Sequence, residues 1–180
     1  GYTSSSNNIA TTGAHRSSIT GHRSFIVKFN TAGQRVWGTY YGGIPTGIAV
    51  DPFNHIVISG YTTPDTAVTT AGAYQQAHGN GSNANDYDMF IAKFDSNGVR
   101  QWGTYYGDTG ANISYDMAVD RTGNIYLAGN SGKGLGTPGT FRPNSPPSGT
   151  RGFICKFTAA GQRVWGTYIP GGNVFAIAAD

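Results

Sequence analysis

The sequence predicts an all-β fold that is assembled from an internal repeat. The segment Phe25–Tyr40 recurs as Phe90–Tyr105 and again as Phe153–Tyr168, with a lysine, a glycine and a tryptophan at the same places in each copy. The chain has 28 glycines and 11 tyrosines, only 12% of its residues are charged, and glutamate is absent. Few of its residues favour helices, and many favour strands and turns. A repeat of this kind determines the architecture more than any single residue does.

The first copy predicts four short strands. The segments Phe25–Phe29 and Gln34–Tyr41 are rich in aromatic and β-branched residues, and Gly47–Asp51 and His55–Gly60 follow them. The second copy repeats this order. In the third copy, residues 173–180 correspond to the third strand and to the aspartate that follows it.

Tight turns join these strands at fixed positions of the repeat. Gly33 lies between the first two strands, and its counterparts Gly98 and Gly161 indicate a backbone position with positive φ. Between the third and fourth strands, Asn54 corresponds to Gly123. Asparagine and glycine adopt the left-handed region most readily, so this position is also predicted to be a turn.

The repeat divides the chain into units of about four strands, and four-stranded antiparallel units are typical of β-propeller blades. Residues 1–3 form the end of a preceding unit, and the following units comprise residues 4–62, 63–131 and the truncated 132–180. One small sheet cannot bury both of its faces, whereas stacked neighbours bury them together. Residues 1–180 are therefore predicted to form one propeller segment of about three blades, either a partial propeller or part of a larger ring. The hairpin Phe25–Tyr40 is expected to be the inner hairpin of a blade.

The repeated residues also resemble a known family. The pattern F-[IV]-x-K-[FY]-[DN]-x-x-G-x-x-x-W, followed by A-V-D-x-x-G-N-[IV]-Y-[VL]-x-G, is similar to the SBBP-type (seven-bladed) β-propeller repeat. The resemblance covers nearly all of the chain, which departs from the pattern at Asn54, at Asp108 and at Ile169. It implies a bacterial protein that is exported or displayed at the cell surface.

Polar and aromatic residues that recur in every copy are predicted to be structural. A catalytic lysine needs a unique environment, so three equivalent lysines indicate stems that cover apolar surface. The repeated aspartates are expected to accept hydrogen bonds from their own turns. The aromatic residues are expected to form the repeat core, with stacking on carbohydrate as the alternative for the tryptophans. These sets are Lys28, Lys93 and Lys156; Asp51, Asp120 and Asp180; and Phe25, Trp37, Phe90, Trp102, Phe153 and Trp165.

A ligand site is expected on the loops where the copies differ. The candidate ligand-binding residues are Tyr41, Tyr106, Asp108, Tyr115 and Asp116. The densest group of side-chain oxygens suits Ca²⁺, which prefers carboxylate and carbonyl ligands. This group comprises Asn83, Asn85, Asp86 and Asp88. Calcium is the one cofactor that the sequence suggests.

Several function classes are disfavoured. No Ser–His–Asp order, CxxC or HExxH motif is present, and the glycine-rich segment Gly132–Gly136 is not followed by the helix that a phosphate loop needs. The 12 lysines and arginines are scattered, so nucleic-acid binding is not predicted. No apolar run is long enough to predict membrane insertion. The single Cys155 excludes a disulfide within this sequence and is expected to be buried.

The predicted function is a non-enzymatic, secreted or cell-surface scaffold that binds a protein or a glycan. Two alternatives stay open: part of a propeller enzyme that acts on glycans, and a segment that assembles through open blade edges into a ring or filament. The absence of glutamate disfavours the enzyme, because paired catalytic carboxylates would have to be aspartates. The expected partners also include the remaining blades, from the same chain or from another one.

Overall fold

The computed structural model describes residues 1–20, 23–64, 68–79, 86–147 and 151–180. Within these residues the chain forms eleven β-strands and no helix, which confirms the all-β prediction. In that part of the chain there is accordingly no helix long and apolar enough to cross a membrane. The strands are β1 (Tyr2–Thr3), β2 (Arg23–Phe29), β3 (Arg35–Tyr41), β4 (Ile44–Val50), β5 (Ile56–Thr62), β6 (Asp88–Phe94), β7 (Arg100–Tyr106), β8 (Ile113–Val119), β9 (Ile125–Asn130), β10 (Arg151–Phe157) and β11 (Arg163–Pro170).

The strands form three antiparallel sheets, which we call blades 1, 2 and 3. Blade 1 has the strand order β1-β2-β3, blade 2 the order β4-β5-β6-β7, and blade 3 the order β8-β9-β10-β11. Blades 2 and 3 each join the last two strands of one sequence unit to the first two strands of the next unit. In blade 2, for example, Gly60 pairs with Phe90. Each complete blade is therefore built from two consecutive sequence repeats.

Two predictions about the blades are wrong. The hairpin that starts at Phe25 is not an inner hairpin. Its counterparts in blades 2 and 3 end with β7 and β11, and each of these is an edge strand. At the opposite edge of blade 2, β4 and β5 contact β8, the first strand of blade 3, so this opposite edge is the inner one. Residues 173–180 form no strand, although Asp116 accepts a hydrogen bond of 2.9 Å from the backbone N–H of Ile177. Residues 173–180 correspond in sequence to β4, which pairs with β5. No described strand lies beside residues 173–180 in the position that β5 takes beside β4.

Strand boundaries differ from the predicted ones by a few residues. β2 begins at Arg23 and β4 begins at Ile44, both before the predicted starts. β4 continues through a register shift between Pro45 and Gly47, so the irregular segment after the two glycines still pairs with β5. Such a bulge adds one residue to a strand without ending the pairing.

The turns adopt the predicted backbone conformations. Gly33, Gly98 and Gly161 have φ values of 75°, 82° and 80°. Asn54 has a φ of 64°, and its counterpart Gly123 has a φ of 84°. These values lie in the left-handed region, which glycine and asparagine adopt more readily than other residues.

Aromatic rings fill the interfaces between neighbouring blades. Tyr41 of blade 1 lies between Phe90 and Phe94 of blade 2, and its ring centroid is 5.6 Å from each of theirs. All of these side chains are buried. Tilted and edge-to-face pairs at such distances stabilise an interface beyond the area that they bury. The same arrangement between blades 2 and 3 has centroid distances of 6.0 Å and 5.0 Å and consists of Tyr106 with Phe153 and Phe157.

Each interface tyrosine also donates a hydrogen bond to the backbone of the next blade. The hydroxyl of Tyr41 donates to the carbonyl oxygen of Val68 at 2.7 Å, and that of Tyr106 donates to Leu135 at 3.2 Å. An arginine of the receiving blade donates to the same carbonyl, so each oxygen accepts two hydrogen bonds. These donors are Arg100 at 3.3 Å and Arg163 at 3.0 Å.

A lysine and a tryptophan of blade 1 contact the tight turn of blade 2. The Nζ of Lys28 and the Nε1 of Trp37 both donate to the carbonyl oxygen of Ser96, at 2.9 Å and 3.0 Å. The indole also covers Gly98 in the same turn, where an added Cβ would lie 2.8 Å from its Cδ2. This contact supports the structural prediction for Trp37.

The interface between blades 2 and 3 repeats this contact. Lys93 donates to the carbonyl oxygen of Ala159 at 3.3 Å. Trp102 covers Gly161, where an added Cβ would lie 2.9 Å from its Cε3. The repeated lysine and tryptophan, which we call the lysine–tryptophan pair, therefore join blade 1 to the turn of blade 2 and blade 2 to the turn of blade 3.

The predicted repeat core and the cysteine are buried to different degrees. Cys155 is fully buried, as predicted, and burial raises the pKa of its thiol, which keeps it protonated. A thiol in this state is a poor nucleophile. Among the predicted core residues, the buried ones are Phe90, Phe153 and Trp37, and the partly exposed ones are Phe25, Trp102 and Trp165.

The repeated lysines also pair with the repeated aspartates, which the sequence did not predict. The Nζ of Lys93 lies 2.7 Å from Oδ2 of Asp51, and the two side chains are 8% and 0% exposed. The corresponding pair of Lys156 and Asp120 is looser, at 3.8 Å, and is 23% and 11% exposed. Asp51 also accepts a hydrogen bond of 2.8 Å from the backbone N–H of His55, which confirms the predicted turn.

The Asp51 carboxyl is expected to make stability fall at acid pH. Burial opposes its ionisation, but hydrogen bonds from Lys93 and His55 outweigh burial and lower its pKa from 3.8 to about 2. A carboxyl whose pKa is lower in the folded than in the unfolded state stabilises the fold at pH values above its unfolded-state pKa. This contribution is lost as the pH falls towards 2. We expect the free energy of unfolding, measured with urea, to decrease between about pH 5 and about pH 2.5. This decrease should be about 1–2 kcal/mol larger in the wild type than in Asp51→Asn. Equal losses in the two proteins would contradict this role.

Candidate functional site

Two of the three tyrosines predicted to bind a ligand belong to the blade interfaces instead. Tyr41 and Tyr106 are fully buried, and their hydroxyls are engaged by Val68 and Leu135. Burial raises the pKa of the Tyr106 phenol, so it stays protonated as a donor. The structure corrects the prediction, because these side chains have no exposed surface for a ligand.

Asp88, one of the predicted calcium ligands, is engaged within the protein. Its side chain is fully buried at the start of β6. The carboxylate accepts hydrogen bonds from the backbone N–H of Gly79 at 2.6 Å and from Nε2 of Gln75 at 3.2 Å. Burial raises the pKa of Asp88, and the Gly79 hydrogen bond and nearby His78 oppose that rise. These contacts tie the preceding connection to blade 2.

The calcium site as a whole stays a prediction. Asn83 and Asn85 lie outside the described residues, and Asp86 is partly exposed beside them in the sequence. Within the described ranges, no group of three or more His, Cys, Asp or Glu side chains could hold a metal ion.

A polar pocket lies where the loop between β7 and β8 meets the segment that follows β9. Its cavity volume is about 510 Å³. Residues 109–111 form one wall, residues 130–133 form the other, and Arg151 closes it at the start of β10. We call this cavity the rim pocket. Its first wall follows Asp108, where the second copy of the repeat departs from the first.

A buried asparagine fixes the two walls of the rim pocket. The Oδ1 of Asn112 accepts hydrogen bonds from the hydroxyl of Ser131 at 3.0 Å and from the backbone N–H of Gly132 at 2.9 Å. Its Nδ2 donates to the carbonyl oxygens of Asp108 at 2.8 Å and Gly110 at 2.9 Å. Because one buried amide holds both segments, the pocket is formed before any ligand arrives.

The other predicted ligand residues lie in different places. Asp108 adjoins the rim pocket, and its carboxylate accepts the backbone N–H of the next residue at 2.8 Å. The hydroxyl of Tyr115 accepts a hydrogen bond of 3.0 Å from Nδ2 of Asn130, which lines the pocket. Asp116 instead holds the backbone of Ile177. The structure thus brings Asp108 and Tyr115 to the pocket edge and leaves Asp116 away from its lining.

Both charged side chains that line the rim pocket are basic. Lys133 is exposed and forms no ion pair with another described residue. Arg151 donates from Nε to the carbonyl oxygen of Pro146 at 3.3 Å and pairs with no described carboxylate. Two such cations in one cavity suit an anionic group. The sequence analysis identified Lys133 only as part of a loop. A basic residue at a position that varies between copies was the signal that could have identified it as a binding residue.

Comparison with known proteins agrees with the architecture. Residues 101–136 match the family model SBBP, described as a beta-propeller repeat, and this match includes both walls of the rim pocket. An uncharacterized WD repeat-containing protein of Acanthamoeba polyphaga mimivirus is 26% identical over 115 residues, which cover 58% of this chain and 8% of that relative. The chain therefore spans less than a tenth of that relative's length. Over residues 101–136 the chain is therefore similar to a β-propeller repeat, in agreement with the antiparallel blades described above.

Proposed function

We propose that the chain is a non-enzymatic binding segment of an extracellular β-propeller protein, and that its rim pocket holds an acidic glycan. The observation that carries this proposal is a cavity with two basic side chains, Lys133 and Arg151, on walls that Asn112 fixes. Loops on a rigid scaffold are where binding residues concentrate. The resemblance to the SBBP-type repeat supports the proposed extracellular location.

Neighbouring side chains favour a sugar as the ligand. Asn130 lines the rim pocket and is hydrogen-bonded to Tyr115, whose ring lies 5.1 Å from that of the exposed Phe175. Amide and hydroxyl groups can exchange hydrogen bonds with sugar hydroxyls, and aromatic faces suit the apolar faces of sugar rings. The two cations would pair with a carboxylate or sulfate on the same ligand.

An array of neutral, uronate-bearing and sulfated glycans tests this function. We expect binding to the acidic glycans, and we expect Lys133→Ala and Arg151→Ala each to weaken it by about 10-fold, since each removes a charge-assisted hydrogen bond. Arg121→Ala removes an exposed arginine from the turn between β8 and β9, at the opposite end of β9, and should leave binding unchanged.

Other outcomes would point to the alternatives. Equal effects of Arg121→Ala and Lys133→Ala would contradict a specific pocket. Cleavage of an arrayed glycan would instead favour the propeller enzyme. Capture of a defined protein that is lost in Lys133→Ala, without any glycan binding, would identify a protein ligand at the same cavity.

A further inference from the structure

A second cavity lies on the same rim of the blades as the rim pocket. Its volume is about 90 Å³, and its lining includes Tyr61 near the end of β5, Tyr87 just before β6 and Arg23 at the start of β2. We call this cavity the tyrosine pocket. Tyr61 occupies the repeat position that Asn130 of the rim pocket occupies at the end of β9. The two cavities therefore lie at equivalent ends of blades 2 and 3.

Hydrogen bonds and ring contacts join the two cavities. The backbone N–H of Asn112, whose side chain fixes the rim pocket, donates to the carbonyl oxygen of Tyr87 at 2.7 Å. The ring of Tyr87 meets that of Tyr61 edge to face, with centroids 5.3 Å apart. On the other side, Tyr115 accepts its hydrogen bond from Asn130 of the rim pocket. Tyr61, Tyr87 and Tyr115, which we call the tyrosine group, thus adjoin both cavities.

The members of the tyrosine group lie near one another and remain accessible. Burial raises the pKa of the Tyr61 phenol, and the neighbouring phenols of Tyr87, Tyr115 and Tyr2 raise it further. All three rings of the group are partly exposed, whereas the tyrosines that fill the blade interfaces are fully buried. The group therefore forms an accessible aromatic surface that reaches from the lining of one cavity to the lining of the other.

The tyrosine pocket has the size and the charge to hold one acidic group. Ligands of drug size occupy cavities of about 300–1,000 Å³, so a cavity of about 90 Å³ holds a substituent and not a whole ligand. Arg23 has another contact within the protein, but a guanidinium carries five N–H donors and can bind a carboxylate or sulfate as well. The tyrosine group thus has a cation at each cavity, Arg23 at one and Lys133 with Arg151 at the other.

We propose that the rim pocket holds one unit of an acidic oligosaccharide and that the chain continues across the tyrosine group, with a second acidic group in the tyrosine pocket. This inference rests on the proposed function and extends it from a single sugar to a chain. The apolar faces of the intervening sugars lie against the tyrosine rings, since aromatic faces suit such surfaces. Arg23 pairs with the second carboxylate or sulfate. Affinity therefore depends on chain length, which a single anionic pocket does not require.

Chondroitin sulfate oligosaccharides of two, four and six sugars test this inference, because each disaccharide carries a carboxylate and a sulfate. Isothermal titration calorimetry with the full chain measures their affinities. We expect the hexasaccharide to bind about 10-fold more tightly than the disaccharide, since the added sugars contact the tyrosine rings and Arg23. The wild-type protein alone reports this gain, so the test does not depend on the folding of any variant.

Substitutions in the tyrosine pocket should remove the gain without weakening the disaccharide. Tyr61→Ala and Arg23→Gln should each reduce the gain to about 2- to 3-fold, whereas Lys133→Ala should weaken the short and the long chain alike. Tyr61→Phe keeps the ring and should keep the gain. Phe53→Ala is the matched control, because it removes an aromatic side chain that is 63% exposed just before β5, at the opposite end of that strand from Tyr61. Urea midpoints check that each variant is folded.

The outcomes separate this inference from the proposed function. Equal affinities of the wild type for the disaccharide and the hexasaccharide would overturn the chain while leaving the rim pocket as the binding site. A gain that survives Tyr61→Ala, or one that Phe53→Ala removes to the same extent, would also overturn it. Binding of none of the three oligosaccharides would count against the proposed function itself, and the inference would fall with it.

Discussion

Replacing Gly98 with alanine is expected to lower the free energy of unfolding by about 2–4 kcal/mol, the sum of a backbone and a packing contribution. Gly98 has a φ of 82°, and an alanine in this left-handed region costs about 1 kcal/mol. Its Cβ would also lie 2.8 Å from the indole of Trp37, and overpacking of this kind costs about 1–3 kcal/mol. Urea denaturation of the purified variant measures the total.

Gly33→Ala separates these two contributions. Gly33 occupies the same turn position with a φ of 75°, but nothing lies within 4 Å of an added Cβ. This variant should therefore lose only the backbone contribution, about 1 kcal/mol. Gly161→Ala should behave like Gly98→Ala, because Trp102 covers it. Equal decreases in the free energy of unfolding for Gly33→Ala and Gly98→Ala would show that Trp37 does not clash with a Cβ at Gly98.

Replacing Lys93 with methionine is expected to destabilise the protein by about 3–5 kcal/mol. The substitution keeps an apolar stem of similar length but removes the cation that lies 2.7 Å from the buried Asp51 carboxylate. Removing one partner of a buried ion pair leaves an uncompensated charge, and this is costlier than losing the pair itself. The free energy of unfolding near neutral pH, from urea denaturation, measures the loss.

The repeat supplies graded controls for this effect. Lys156→Met should cost less, because its carboxylate partner is 3.8 Å away and the pair is more exposed. Lys28→Met should cost about 1 kcal/mol, since Lys28 loses only its hydrogen bond to the Ser96 carbonyl. Adding Asp51→Leu to Lys93→Met should recover part of the stability by removing the stranded charge. A loss at Lys93 no larger than that at Lys28 would contradict the ion-pair explanation.

The strands and turns could be predicted because each depends on residues close in sequence. The recurrence of Gly33, Gly98 and Gly161 marks one turn, and alternating apolar residues mark the strands around it. The partition into sheets could not be predicted from the same pattern. The period of a repeat is the same wherever the repeat is taken to begin. Periodicity alone therefore does not show which strands share a sheet, such as the strands in which Gly60 pairs with Phe90.

The same limit explains the errors at the candidate site. A tyrosine at the end of a strand can line a rim or fill an interface, and only the position of the next blade decides that Tyr41 and Tyr106 are buried. The pairing of Lys93 with Asp51 joins two repeats of the sequence, so it depends on the sheet partition as well. Of the rim-pocket cations, Lys133 occurs in one copy only, and Arg151 has a counterpart in Arg23 of the first copy but not in the second copy, where Asp88 stands.

The division of each sheet between two sequence repeats has a consequence for how such arrays change in length. A stretch of gene that encodes one sequence repeat encodes two half-sheets, so its product has no complete sheet of its own. Recombination between equivalent points of two copies nevertheless adds or removes one whole period. The strands brought together at the new junction have the same pairing partners as before, and every internal sheet keeps four strands. Arrays of this kind can therefore gain or lose blades by unequal crossover without creating an unpaired strand at the junction.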